Sequence, residues 1–171
     1  MASVTEGLCV DPFELFDSRW GLLTAGTADD FNSMTISWDA LGTVWGVPGQ
    51  RRSLATVYVK PIRHTFGYLE RNELFTVSFL PEEYRGALVL MGEKSGRDCD
   101  KVAESGLTPV ELAPGAMAYA EADLVLVCRK LYQQEMQLEL MPPDIAEELY
   151  LHPGEPAHHM FIGDIIDVRQ K

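Results

Sequence analysis

Phe31-Asn32-Ser33-Met34-Thr35-Ile36-Ser37-Trp38 is the stretch on which the fold of this 171-residue chain turns. Read with period 2, it sends Met34, Ile36 and Trp38 to one side and Ser33, Thr35 and Ser37 to the other. Such alternation fits a strand whose large apolar groups enter a core, while the hydroxyl row meets either water or a flat polar ligand. Asp29-Asp30 supplies a turn ahead of it, and Trp20–Gly26 is an apolar run ahead of that. The runs Trp20–Gly26 and Met34–Leu41 therefore read as a hairpin-like pair across Thr27–Asn32.

Downstream, Gly42–Arg52 is glycine-rich with a Pro48-Gly49 turn signal and reads as a surface loop. Its Trp45 either covers a ligand or partner surface or folds back on the core. Ser53–Lys60 alternates as a strand, with Leu54, Thr56, Tyr58 and Lys60 on one side, and Pro61 stops it. Ile62, Phe66 and Leu69 then fall at helical spacing up to Asn72. Leu74–Leu80 is a strand, Glu82–Met91 a helix, and Cys99–Glu104 a short helical piece with Gly106 as its stop. Thr108–Leu112 and Ala118–Tyr119 are short strands about Pro114-Gly115. Ala122–Leu140 is a long β-prone stretch, Asp144–Tyr150 a short helix, and His158–Val168 the last strand. The first 18 residues form an arm with a short turn or helix. About seven strands with two principal helices and no regular βαβ alternation predict a mostly β fold, an antiparallel β-barrel with interposed helices.

The chain has the length of one domain with a real core. Hydrophobic residues make up 46% and charged residues 23%, the balance of a soluble globular protein. No apolar run is long enough to span a membrane. Met1–Gly7 lacks the basic start and apolar stretch of a signal peptide, so a cytoplasmic protein is expected. Cys9, Cys99 and Cys128 are odd in number and far apart, which fits free thiols in a reducing compartment rather than a zinc site.

A net charge of −12 argues against nucleic-acid binding, which needs basic residues against phosphates. The few positive charges are concentrated: Arg51, Arg52, Lys60 and Arg63 in one segment, Lys94, Arg97 and Lys101 in another. A local positive region in an acidic chain suits a small anion. Arg63, His64 and Thr65 stand where a strand ends and a helix begins, where free N–H groups and the helix dipole favour an anion; Thr65 reads equally as a plain N-cap. Gly92-Glu93-Lys94-Ser95-Gly96-Arg97-Asp98 is compatible with phosphate binding through hydroxyl, glycine N–H and cation, although it is no Walker motif.

His152, His158 and His159 cluster late in the chain, but adjacent His158 and His159 point to opposite faces of a strand, so a shared metal is not expected. One of that pair facing a cofactor edge as a donor is an open alternative. No nucleophile elbow and no distinctive carboxylate pair stand out, so any reaction is expected to be carried by a bound cofactor.

Asn32-Ser33-Met34-Thr35-Ile36-Ser37-Trp38, Val59-Lys60-Pro61-Ile62-Arg63-His64-Thr65 and Gly92-Glu93-Lys94-Ser95-Gly96-Arg97-Asp98-Cys99-Asp100-Lys101, taken in order, resemble the flavin reductase-like, flavoredoxin-type family. Glu121–Tyr132 and His159–Ile165 fit the same pattern, and the resemblance runs from Trp20 to Val168. It implies an FMN-binding split barrel of antiparallel Greek-key type, homodimeric, with flavin near the subunit interface. Residues 1–171 would form a single such domain, with residues 1–18 as its arm.

Carried over residue by residue, the resemblance places Asn32, Ser33, Met34, Thr35, Ile36 and Ser37 along the flavin ring and ribityl chain. Trp38 and Lys60 belong to the same candidate set. Arg63, His64 and Thr65 take the phosphate end, with Ser95, Gly96 and Lys101 from the second loop. The family pattern carries Arg where Lys60 stands and an aromatic residue where His64 stands. The implied activity is an FMN-dependent oxidoreductase fed by NADH, NADPH or an electron-transfer protein. The alternatives are a flavin carrier or storage module, or a dimeric split barrel that has lost flavin.

Overall fold

Leu15 and Phe16 are buried in a short π-helical turn, Glu14–Arg19, so the N-terminal arm is pinned by two apolar side chains before the first strand begins. The computed structural model describes residues 3–150 and 155–171. Strand β1 (Gly21–Thr27) pairs antiparallel with β2 (Asp30–Ile36), and β3 (Asp39–Val44) pairs with β4 (Arg52–Val59). Helix α1 (His64–Arg71) follows Pro61, and β5 (Leu74–Phe79) returns to the sheet. A 3-10 turn at Glu82–Tyr84 leads into α2 (Arg85–Glu93). Next come α3 (Lys101–Ser105), the hairpin β6 (Pro109–Ala113) with β7 (Ala116–Tyr119), and β8 (Leu124–Glu135). Helix α4 (Pro143–Tyr150) and β9 (His159–Gln170) complete the set.

Seven strands form one antiparallel sheet in the order β2-β1-β5-β8-β9-β4-β3, and β6-β7 stands apart. The two edge strands, β2 and β3, are consecutive in sequence, with only Ser37 and Trp38 between them. Three residue steps reach at most about 11 Å. The sheet must therefore curl until its edges meet at that point, while the edges share no ladder of their own. This is the antiparallel split barrel that the sequence predicts.

Two apolar clusters hold it. Inside the barrel, Val57, Phe75, Phe161 and Leu126 pack with Phe66 and Leu69 of α1. On the other face, Leu22, Val125 and Val127 meet Leu88 and Met91 of α2 and Tyr119 of β7. Apolar side chains so enclosed contribute roughly 1.5–3 kcal/mol each. At Gly163 a Cβ would stand 2.5 Å from the Phe75 ring, so the missing side chain is what lets that ring lie against β9.

The structure departs from the expected elements in instructive places. The strand expected over Met34–Leu41 is broken at Ser37-Trp38, because the chain there crosses from one sheet edge to the other. The loop expected over Gly42–Arg52 shrinks to residues 45–51, since Thr43 and Val44 pair with Ser53 and Arg52. Trp45 is half-exposed in it and lines none of the cavities described below. The β-prone run Ala122–Leu140 leaves the sheet at Glu135 and ends in a 3-10 turn, Leu138–Leu140. Nine strands are found among the described residues against about seven expected, while the four α-helices fall on the four stretches expected to be helical. Cys9, Cys99 and Cys128 are free, and Cys128 is fully buried. No helix among the described residues is long and apolar enough to cross a membrane.

Candidate functional site

Two adjoining cavities, of about 310 and 350 Å³, flank the edge strand β2. They share Met34 and Arg63, so they form one continuous trough. One end is lined by Ile36, Ser37, Trp38, Tyr58, Lys60 and His158. The other holds Asn32, His64, Thr65, Ser95, Arg97 and Lys101.

The second end is built at the start of α1. Pro61 ends β4, a turn bonds Arg63 N–H to Lys60 O at 3.0 Å, and Arg63 becomes the N-cap in extended conformation with no side-chain cap. A helix that starts without a cap leaves N–H groups and the positive dipole end for another acceptor. Thr65 does not supply the cap; its hydroxyl accepts a 2.6 Å bond from Asn32 Nδ2, tying β2 to α1. Arg63 itself is exposed, and its guanidinium has no hydrogen bond or ion pair among the described residues.

The Ser95–Lys101 loop closes over this end. Ser95 O accepts from Asp98 N–H at 3.0 Å, and Ser95 Oγ accepts from Arg97 N–H at 3.2 Å, which makes a tight turn. A Cβ on Gly96 would lie 2.2 Å from Asn32 Oδ1 and 3.2 Å from His64 Cδ2, so only glycine lets the loop sit this close. Lys101 is 3% exposed, and its Nζ donates to Met91 O (3.0 Å) and Lys94 O (3.2 Å). It thereby satisfies carbonyls at the C-terminal end of α2, and burial pushes its pKa down to about 8. Arg97 donates to Ile62 O at 3.0 Å, and Lys94 is paired with Glu104. Burial, then the charges of Arg97, Lys101 and Arg71, hold His64 below the usual imidazole range, against the opposing pull of Asp30. Cys99 is a poor nucleophile here, since burial and then Glu104 push its thiol up.

At the first end, Trp38 is 45% exposed rather than in the core, and its indole lies 4.8 Å from the His158 ring. Lys60 is engaged with Glu155 and sits 5.5 Å above the Tyr150 ring. It stands away from the Ser95–Lys101 loop, on the aromatic side of the trough. His158 and His159 face different surroundings, as strand alternation requires: His159 packs inward on Phe66 and Phe161. His152 lies outside the described residues.

The hydroxyl face of β2 has a different use from either alternative read in the sequence. Ser33 is fully buried, with Oγ 2.8 Å from Thr24 Oγ1 and 2.7 Å from Tyr119 OH. Thr35 donates to Leu88 O at 2.5 Å. That face is covered by α2 and β7, and Asn32 and Met34 on the other face line the trough. Thr35, Ile36 and Ser37 still border it where the strand ends. Sequence reasoning missed Tyr58, Arg97 and Leu149 as lining residues and did not bring Tyr150 to the trough. Arg97 was visible as part of the basic loop; Leu149 and Tyr150 carried no signal beyond helical spacing. Asp39, at the edge-to-edge crossing, keeps both carboxyl oxygens buried without a partner, and burial raises its pKa to about 9.

A family model described as "Flavin reductase like domain" matches residues 14–171. No curated protein sequence matches the chain. Among solved structures, flavoredoxin from Methanosarcina acetivorans superposes with a TM-score of 0.66 at 21% identity, covering 90% of this chain and 68% of that one. The FMN-binding protein from Thermus thermophilus with bound p-hydroxybenzaldehyde gives 0.67 at 17% identity, covering 97% and 79%. The NADH:FAD oxidoreductase of Streptomyces globisporus C-1027 gives 0.62 at 17% identity, covering 90% and 76%. At these identities the structural likeness is one of fold.

Proposed function

The chain belongs to the flavin reductase-like family, and from that premise we propose that it is an FMN-binding oxidoreductase whose flavin lies along the trough beside β2. The observation that carries this reading is the unengaged Arg63 guanidinium beside the uncapped start of α1, under a loop that only Gly96 can bring so close. A phosphate monoester needs that set: a cation, free N–H groups and backbone approach without a side chain in the way. The adjoining Trp38 end offers an aromatic wall and polar edges for a planar ring. The residues present therefore fit FMN.

In this reading Arg63, His64, Thr65, Ser95 and Gly96 receive the phosphate, while Lys101 holds the loop by capping α2. Asn32, Met34, Ile36, Ser37 and Trp38 line the ring and chain, and Ser33 and Thr35 fix the strand that presents them. A bound flavin supplies hydride and electron transfer. The protein orients the ring, screens one side from water and tunes the charge around it. The whole chain acts as one domain, as a homodimer in the cytoplasm, and NADH, NADPH or an electron-transfer protein reduces the flavin.

Absorption spectroscopy after incubation with FMN and desalting tests the cofactor. Retained flavin bands that bleach anaerobically on adding NADH, NADPH or a reduced electron-transfer protein are the expected result. Retained bands that none of these donors bleaches would remove the reductase assignment. Failure to retain flavin in any form would remove the cofactor assignment as well.

A further inference from the structure

Just ahead of β9 the chain returns to the trough, and His158 meets it there beside Trp38. Tyr150 OH, from the end of α4, lies 2.8 Å from His158 Nδ1. Burial holds back ionisation of that phenol, so at neutral pH it keeps an O–H that a bare Nδ1 can accept, while an Nδ1–H would instead donate to the phenol oxygen. An imidazole that accepts at Nδ1 carries its proton on Nε2. Burial, then the charges of Lys60 and Arg63, hold His158 down to about 4 against the pull of Glu155, so the ring is neutral at pH 7. Tyr150 stands edge-on at 5.7 Å and Trp38 lies at 4.8 Å with a 36° tilt, which brackets the imidazole from two sides.

We propose that Tyr150 fixes His158 as its Nε2–H tautomer, and that this N–H donates a hydrogen bond to an acceptor oxygen or nitrogen of a planar aromatic ligand seated against Trp38. The ligand assignment rests on the flavin reading above, in which the acceptors are ring carbonyl oxygens and ring nitrogens. The dyad supplies what Arg63 does not: a neutral, directional donor at the ring end of the trough, beside Trp38 and Tyr58. A fixed neutral donor favours negative charge accumulating on the ring without adding a proton to it.

Long-range 1H–15N NMR of the imidazoles in the ligand-free protein at pH 7 tests the tautomer. His158 should show a protonated Nε2 and a bare Nδ1, and Tyr150→Phe should give a mixture of tautomers. FMN and riboflavin are then titrated separately, by quenching of flavin fluorescence, into the wild type, His158→Gln, His158→Phe and Tyr150→Phe. Gln keeps an N–H near the position of Nε2, whereas Phe keeps a ring and no donor. His158→Phe should weaken both flavins alike by about tenfold, and His158→Gln should stay within about threefold of the wild type. Tyr150→Phe should fall between them. An Nδ1–H tautomer in the wild type, or unchanged affinity in His158→Phe, overturns the proposal and leaves the flavin reading intact. A wild type that binds neither flavin overturns both.

Discussion

Replacing Asp39 by asparagine should make this protein more stable, by an amount that grows with pH. Asp39 opens β3 opposite Val57, whose side chain is fully buried inside the barrel, and both of its carboxyl oxygens are buried without a partner. Burial raises its pKa from 3.8 to about 9. Below pH 3.8 both folded and unfolded chains hold the proton, and the group is neutral to stability. Between 3.8 and about 9 the unfolded chain is ionised and the folded chain still binds a proton, so stability falls as pH rises. At about 1.4 kcal/mol per pH unit, the loss is about 4 kcal/mol at pH 7 and under about 2 kcal/mol at pH 5. Asparagine has nearly the same shape, is equally short of partners there, and does not ionise. Urea unfolding followed by tryptophan fluorescence at pH 5, 7 and 8.5 measures the difference by linear extrapolation. A variant whose advantage is the same at all three values would refute the reasoning, because a constant offset is a packing effect and not a proton.

Arg63→Ala should weaken FMN by about 1.5–3 kcal/mol, roughly ten- to a hundredfold, and leave riboflavin nearly untouched; equal losses in parallel titrations would place the phosphate elsewhere. Gly96→Ala pushes a Cβ to within 2.2 Å of Asn32 Oδ1, so the loop must lift, and FMN affinity should drop by about tenfold or more with little change in thermal midpoint. Ser33→Ala leaves the buried hydroxyls of Thr24 and Tyr119 short of a partner and should lower unfolding stability by about 1–3 kcal/mol in urea titrations.

Local chemistry was readable wherever neighbours in sequence decide it. Pro61 and the spacing of Ile62, Phe66 and Leu69 marked the strand-to-helix junction, and Arg63 stands at that N-cap. Gly106 stops α3 in left-handed conformation, as its position suggested. Period 2 also sorted the residues of β2 correctly into two faces. It could not say what covers each face: Ser33 and Thr35 meet Tyr119 and Leu88, which arrive from segments 86 and 53 residues away. The aromatic end of the trough was partly legible: Trp38 stood in the candidate set and His158 was one of two histidines left open as a donor, but Tyr150, which bonds His158, gave no sign. Gly96 was visible as a loop glycine, but the contact that demands it lies on Asn32, 64 residues earlier. Nothing in composition distinguishes Asp39 from the other acidic residues; its burial is a property of the crossing it stands at.

The strand order has a consequence for how the molecule comes into being. β9 lies between β8 and β4, so it is the ladder that joins the β3-β4 hairpin to the other strands of the sheet. During synthesis the ribosome delivers β3 and β4 early, yet β9, the second partner of β4, is made much later. Until then the nascent chain holds an unpaired β4 edge, a template for wrong pairing and a natural client for chaperones. Trp38 and His158 come together only when that strand docks, so the aromatic half of the trough cannot form before β9 is made. A ligand held against Trp38 and His158 would therefore report that β9 has found its place beside β4.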